Sequence, residues 1–158
     1  MNPEQYLEDL TIGQRFRSSS LVIESDAIKE FASRFDPQPF HLDDGAARDT
    51  LFRGLAASGW HTAALTMRLL VESEFRPAGG LVGAGLDELR WPRPTRPGDR
   101  LELEAEVLEL RPMTSRPGQG IVKIRVTTFN QDREIVQQYV GNLVARQKDR
   151  TGRGGPTT

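Results

Sequence analysis

The sequence predicts an α+β fold in which an antiparallel sheet wraps around one long apolar helix. Three observations carry that expectation. Leu101, Leu103, Ala105 and Val107 alternate with Glu102, Glu104 and Glu106, the period-two pattern of a strand with one dry and one wet face. Two further runs, Ile121 to Phe129 and Glu134 to Arg146, read as the strands that follow it. Finally, the stretch from Ser58-Gly59 to about Ser73 mixes Leu65, Leu69 and Val71 with Ala63, Ala64 and Met67, leaving no wide polar face. Such a helix needs cover on several sides, and a strongly curved sheet supplies it within one small domain.

The elements follow in order. The first ten residues read as a short covering segment, and Leu21 to Ile23 as a short edge pairing. Ser25 can cap a helix in which Ile28, Phe31, Ala32 and Phe35 recur at helical spacing, with Asp26 near its positive end. Asp36-Pro37 stops it, because a residue before proline is pushed out of the α region. A loop over Asp36 to Asp44 comes next, and Asp43 or Asp44 then caps a short helix through Ala46, Ala47 and Leu51. The glycines from Gly79 to Gly85 lack the strand and helix of a dinucleotide fingerprint and read as a flexible loop. Leu86 to Trp91 is a strand ended by Pro92 and Pro94. The alternation slips at Val107-Leu108, which predicts a bulge. Pro112 to Gly120 is a long hairpin connection, and Asn130 to Arg133 a turn.

The 158 residues fit one domain, placed at 1–147, with 148–158 expected to be a disordered tail poor in apolar groups. Twenty-one basic and 22 acidic residues nearly cancel, which argues against a nucleic-acid partner. The absence of cysteine excludes disulfides, thiolate metal sites and a cysteine nucleophile. With only two histidines and no third ligand at suitable spacing, no metal site is expected. No apolar run is long enough for a membrane span, and MNPEQYLEDL is not a secretory signal, so a soluble cytoplasmic protein is expected.

Two constellations could carry chemistry. The first puts Asp36 and His41 five residues apart on a segment stiffened by Pro37 and Pro39. An imidazole and a carboxylate held together can position and activate a water. Spacing alone leaves a second reading open, in which Asp36 caps local backbone and His41 is a satisfied, half-buried histidine. The second is Ser58-Gly59-Trp60-His61, at the start of the long helix. Helix N-terminal N–H groups lack internal partners, and a glycine there lets a substrate oxygen approach the backbone. From spacing alone, a serine cap followed by a packing glycine is the favoured reading. Arg93, Arg96 and Arg100 cluster near Pro-Gly turns, as phosphate contacts or as solvated surface charges.

At these residues the chain resembles the MaoC-like dehydratases, or R-specific enoyl-CoA hydratases, of the hot-dog superfamily. The family loop D-x-N-P-x-H-x-D reads here Asp36-Pro37-Gln38-Pro39-Phe40-His41-Leu42-Asp43. A helix-starting glycine, Gly59, follows about eighteen residues after the histidine. Leu89 to Asp99 is similar to the family's "rPV–x–GD" segment, and Phe129-Asn130-Gln131 with Leu143 to Arg146 to its last hairpin. The ordered matches span about Leu10 to Gln147. The sequence departs from the family in carrying Phe35 for a glycine, Gln38 for an asparagine and Phe40 for a smaller aliphatic residue.

The resemblance implies a hot-dog fold and hydration of a trans-2-enoyl thioester to a (3R)-3-hydroxyacyl thioester. Asp36, His41 and Gly59 would be catalytic, and Gln38, Phe40, Ser58 and Trp60 would bind substrate. No metal or redox cofactor is implied; coenzyme A is the substrate's carrier. A homodimer joined edge to edge is implied, with acyl-CoA as the small-molecule partner and neither membrane nor nucleic acid. A hot-dog thioesterase and a non-catalytic acyl-CoA-binding subunit are the alternatives.

Overall fold

The computed structural model describes residues 3–149. The tail expected at 148–158 therefore lies mostly outside the described residues. Of its described part, Lys148 pairs through Nζ with Asp9 and through its N–H with Glu8.

The sheet is antiparallel. Its strands are β1 (Arg15–Arg17), β2 (Leu21–Val22), β3 (Val82–Arg90), β4 (Arg100–Pro112), β5 (Gln119–Phe129) and β6 (Ile135–Arg146). They lie in the order β1-β4-β5-β6-β3, and β2 pairs beside β1 on β4. The alternation read in the sequence sets which face is dry. Leu101, Leu103, Ala105 and Val107 are buried, and between them the glutamates meet arginines on the outer face: Arg133 reaches Glu102 at 2.7 Å and Glu104 at 3.2 Å. Such exposed pairs add little stability, but they give several arginines a structural occupation. The predicted bulge is present, as a register shift between Val107 and Glu109.

Four helices pack with the sheet: α1 (Ser25–Phe35), α2 (Pro39–Leu42), α3 (Asp44–Ala47) and α4 (Gly59–Val71). The last lies against β4 and β6. Leu69, Leu70 and Phe75 join Val122, Ile124, Val126, Tyr139 and Leu143 in the main core. A short 3₁₀ turn, Leu7–Asp9, closes one end by burying Leu7 and Leu10, as the covering segment was expected to do.

Several local expectations change. Ser25 is the first helical residue and not the cap of α1; Glu24, in extended conformation, precedes the helix without a side-chain capping bond. The loop over Asp36 to Asp44 contains α2, because Pro39 sits at a first-turn position where its missing N–H costs nothing. Asp43 does cap α3, accepting from the Ala46 N–H at 2.7 Å, but α3 ends at Ala47 and Leu51 is exposed. Val82 to Gly85 is strand and not loop. Its glycines sit at an irregular register beside β6, where missing side chains erase the alternation that would reveal a strand.

The long helix is not covered on most sides. His61, Thr62, Thr66, Leu69 and Leu70 face inward, whereas Trp60, Met67 and Val71 stay open to solvent. One chain's sheet reaches a single face of α4. β3, at the sheet edge, is likewise exposed, with Val82 and Leu86 more than half open. No helix among the described residues is long and apolar enough to cross a membrane.

Candidate active site

Asp36 ends α1 and His41 lies one short segment later in α2. The Gln38 N–H donates back to the Asp36 carbonyl at 2.8 Å, and the His41 N–H to the Gln38 carbonyl at 3.0 Å. These turns, with the two prolines, bring the side chains together. His41 Nε2 stands 3.3 Å from Asp36 Oδ2. The other ring nitrogen, Nδ1, is 2.6 Å from the Ala56 carbonyl oxygen. A carbonyl only accepts, so Nδ1 carries a proton and the Nε2 side of the ring faces the carboxylate. The ring is buried, with Phe40 edge-on at 4.6 Å and Phe52 tilted at 5.8 Å between centroids.

Asp36 is held on several sides. Gln38 donates through Nε2 to Oδ1 at 2.5 Å, and the Ser58 hydroxyl hydrogen-bonds the carboxyl. Burial pushes this carboxyl up, but the bonds from Ser58 and Gln38 and the neighbouring imidazole outweigh it. Its pKa falls below the usual carboxylate value, so Asp36 is ionised at neutral pH. Ser58 is fully buried and also caps α4, accepting from the Trp60 N–H at 3.3 Å. One hydroxyl thus ties the helix start to the carboxylate.

Beside this group lies a cavity of about 290 Å³, lined by His41, Phe52, Gly59, Thr62, Trp91 and Thr95 among others. The first N–H of α4, that of Gly59, meets no acceptor among the described residues. A Cβ at this glycine would fall 2.6–2.8 Å from the Trp91 indole. Glycine is therefore required by a ring packed on its backbone, in addition to any need for close approach by a substrate.

Of the residues singled out in the sequence, His41 and Gly59 line the cavity, with Asp36, Gln38 and Ser58 gathered against the histidine. Phe40 packs on His41 and Phe52 and is not among the lining residues. Trp60 points outward, more than half exposed, its ring 5.4 Å from that of Trp91. Arg96 neither contacts the cavity nor is freely solvated. Its guanidinium donates to the carbonyls of Phe52, Gly54 and Leu55, stapling the loop that carries Phe52 and Ala56. Sequence reading missed Thr62, Trp91 and Thr95 as wall residues. They come from α4 and the segment after β3, and no local pattern links them.

The chain has relatives both in sequence and in structure. The family described as "MaoC like domain" matches residues 8–130. The chain belongs to this MaoC-like family. A MaoC-like dehydratase from Rhodospirillum rubrum is 54% identical with a TM-score of 0.88, over 91% of this chain and 98% of that one. The unliganded R-hydratase of Pseudomonas aeruginosa is 26% identical with a TM-score of 0.73, covering 97% and 95%. In sequence, the uncharacterized protein YdeM of Bacillus subtilis is 35% identical over 137 residues, 87% of this chain and 94% of its own length. The MaoC-like domain of this chain has the hot-dog fold that the sequence resemblance implied.

Proposed function

We propose that the protein catalyses the reversible hydration of a trans-2-enoyl-CoA to a (3R)-3-hydroxyacyl-CoA. The observation that carries this reading is the pairing of a carboxylate with an imidazole beside the cavity. Asp36 Oδ2 and His41 Nε2 lie 3.3 Å apart, with the imidazole tautomer fixed by Ala56. A water that donates one hydrogen to each has its lone pairs free for attack on C3. As the C–O bond forms, the pair takes a water proton, and a proton returns to C2. The thioester carbonyl gains enolate character meanwhile, and the Gly59 N–H at the positive end of α4 offers a donor for it. Acid–base help of this kind is typically worth about 10²–10⁴-fold and one such donor about 10²–10³-fold. Gln38 and Ser58 act by keeping Asp36 ionised and oriented. Coenzyme A serves as the carrier of the acyl group, and the addition needs no redox change.

The same reading assigns the unpartnered surface to a second copy. The open edge of β3 and the apolar stripe of Trp60, Met67 and Val71 on α4 match the edge-to-edge homodimer of the family resemblance, since both would be covered together. Sedimentation should return twice the chain mass, and a monomer at micromolar concentration refutes the assignment.

Loss of the conjugated thioester absorbance of crotonyl-CoA tests the reaction. Asp36→Asn and His41→Ala should each abolish it while circular dichroism stays native. Variants with undiminished rates overturn the roles. Release of free thiol without loss of the double bond would mark a thioesterase instead.

A further inference from the structure

The cavity beside His41 is walled largely by groups with nothing to offer a substrate oxygen. Phe52, Ala57, Pro92 and Pro94 are apolar, and the Trp91 indole N–H is already spent on Gln137 at 2.8 Å. Arg93 turns its guanidinium to Glu134 at 2.7 Å. Thr62 and Thr95 also line the space, each only 2% exposed. Thr62 Oγ1 donates to Thr95 Oγ1 at 3.0 Å, so one threonine proton is spent. The Thr95 hydroxyl accepts in this bond and still holds its own proton, for which the described residues provide no acceptor. A donor left over in a buried wall is rare in folded proteins and asks for a partner.

The position of this hydroxyl is set from both ends of its residue. The Thr95 carbonyl accepts from the Ala57 N–H at 2.9 Å, and the side chain is held by Thr62. Ala57 lies two residues before Gly59, and Thr62 three after it. A helical side chain leans back over the turn that precedes it, so Thr62 brings Thr95 to the first turn of α4, which Gly59 opens. The Gly59 N–H also lacks an acceptor among the described residues, and Gly59 lines the same cavity. Two unspent donors therefore border one space from neighbouring points. Valine has the shape of threonine without the oxygen, and it stands at this place in the "rPV–x–GD" segment that Leu89 to Asp99 resembles. The fold itself thus does not ask for the hydroxyl.

We propose that Thr95 is a second hydrogen-bond donor to the substrate's thioester oxygen, working beside the Gly59 N–H and polarised by Thr62. This rests on reading the cavity as the acyl site of an enoyl-thioester hydratase. As water adds at C3, charge grows on that oxygen, and a donor already fixed in place stabilises it without reorganising. No bond is made or broken at Thr95. Thr62 is a positioning residue: it acts through the Thr95 hydroxyl, and its donation strengthens the bond that Thr95 gives.

Hydration of crotonyl-CoA by isosteric variants tests the assignment. Thr95→Val should lower kcat by about tenfold, the value of one hydrogen bond, with KM changed by less than about twofold. Thr95→Ser keeps the hydroxyl and should restore most of the rate. Thr62→Val should cost only about twofold, because the donor survives unpolarised. In the double variant Thr62→Val/Thr95→Val both partners become apolar together, which is close to neutral for stability. It should melt like the parent and turn over no more slowly than Thr95→Val alone, and it carries the test where a single variant does not fold. The infrared carbonyl stretch of bound butyryl-CoA, isotopically labelled at the thioester carbon, reads the bond without turnover. It should lie lower in the parent than in Thr95→Val. A kcat within about twofold of the parent in Thr95→Val or the double variant overturns the assignment. So does a Thr95→Ser variant as slow as Thr95→Val, or a stretch that Thr95→Val leaves in place. Hydration with an unmoved stretch removes Thr95 and keeps the hydratase. A stretch that moves in a protein that hydrates no enoyl thioester keeps the donor and removes the hydratase.

Discussion

Gly59→Ala probes the site at its tightest point. The backbone there is helical, so alanine is conformationally acceptable and would on its own favour the helix slightly. The obstacle is steric. The new methyl would meet three atoms of the Trp91 ring at 2.6–2.8 Å, where ordinary contact needs 3.4 Å or more. The helix start is fixed by Ser58, so the indole must move. Trp91 is 40% exposed and has somewhere to go, but moving breaks its 2.8 Å bond to Gln137. A buried amide then loses its one partner, which costs about 1–3 kcal/mol. Net of the helix gain, a loss of about 1–2 kcal/mol is expected, or roughly 2–8 °C in Tm for a domain of this size. Activity should suffer more. A methyl beside the Gly59 N–H keeps a thioester oxygen away from it, and the donor is worth about 10²–10³-fold in kcat. Thermal unfolding by circular dichroism and crotonyl-CoA hydration read the two effects separately. If Gly59→Ala melts and turns over like the parent, both the packing argument and the assignment of the N–H fail.

Other expectations follow from single contacts. Ser58→Ala removes a cap of α4 and a donor to Asp36, so stability should fall by about 1 kcal/mol. In the same variant the Asp36 pKa rises toward its usual value, and the acidic limb of the hydration rate should move to higher pH; an unmoved limb would exclude Asp36 as the base. His61 is stacked on Phe31 at 4.6 Å, and burial lowers its pKa. The unfolded chain therefore takes up this proton first, and stability drops as pH falls below the ordinary histidine value. His61→Leu should flatten that decline in urea melts run between neutral and mildly acidic pH, and an identical slope would assign it elsewhere. Arg96→Lys cannot reproduce three bonds to the carbonyls of Phe52, Gly54 and Leu55. A loss of about 1–3 kcal/mol and a weakened KM are expected; unchanged values would deny the staple.

Much of the fold was legible because it rests on local periodicity. The glutamate ladder of β4, its bulge, the hairpin after Pro112 and the start of α4 each declare themselves within a dozen residues. β1 escaped notice at three residues, and the first half of β3 was hidden by glycines that carry no side-chain pattern. The reading of α4 as covered on most sides failed for another reason. Hydropathy reports that a face is apolar, but not whether this chain's own sheet or a different surface covers it.

The same division holds at the site. The spacing of Asp36 and His41 on a proline-stiffened segment, and the glycine that opens α4, could be read from the chain because each is a short-range arrangement. The sequence alone could not say that Ser58 bonds Asp36, that Ala56 sets the histidine tautomer, or that Trp91 lies on Gly59 and holds Gln137. Those contacts join residues from 15 to 46 positions apart. They exist only once the sheet has closed on the helix, since a hydrogen bond depends on where two atoms meet and not on how far apart they stand in the chain.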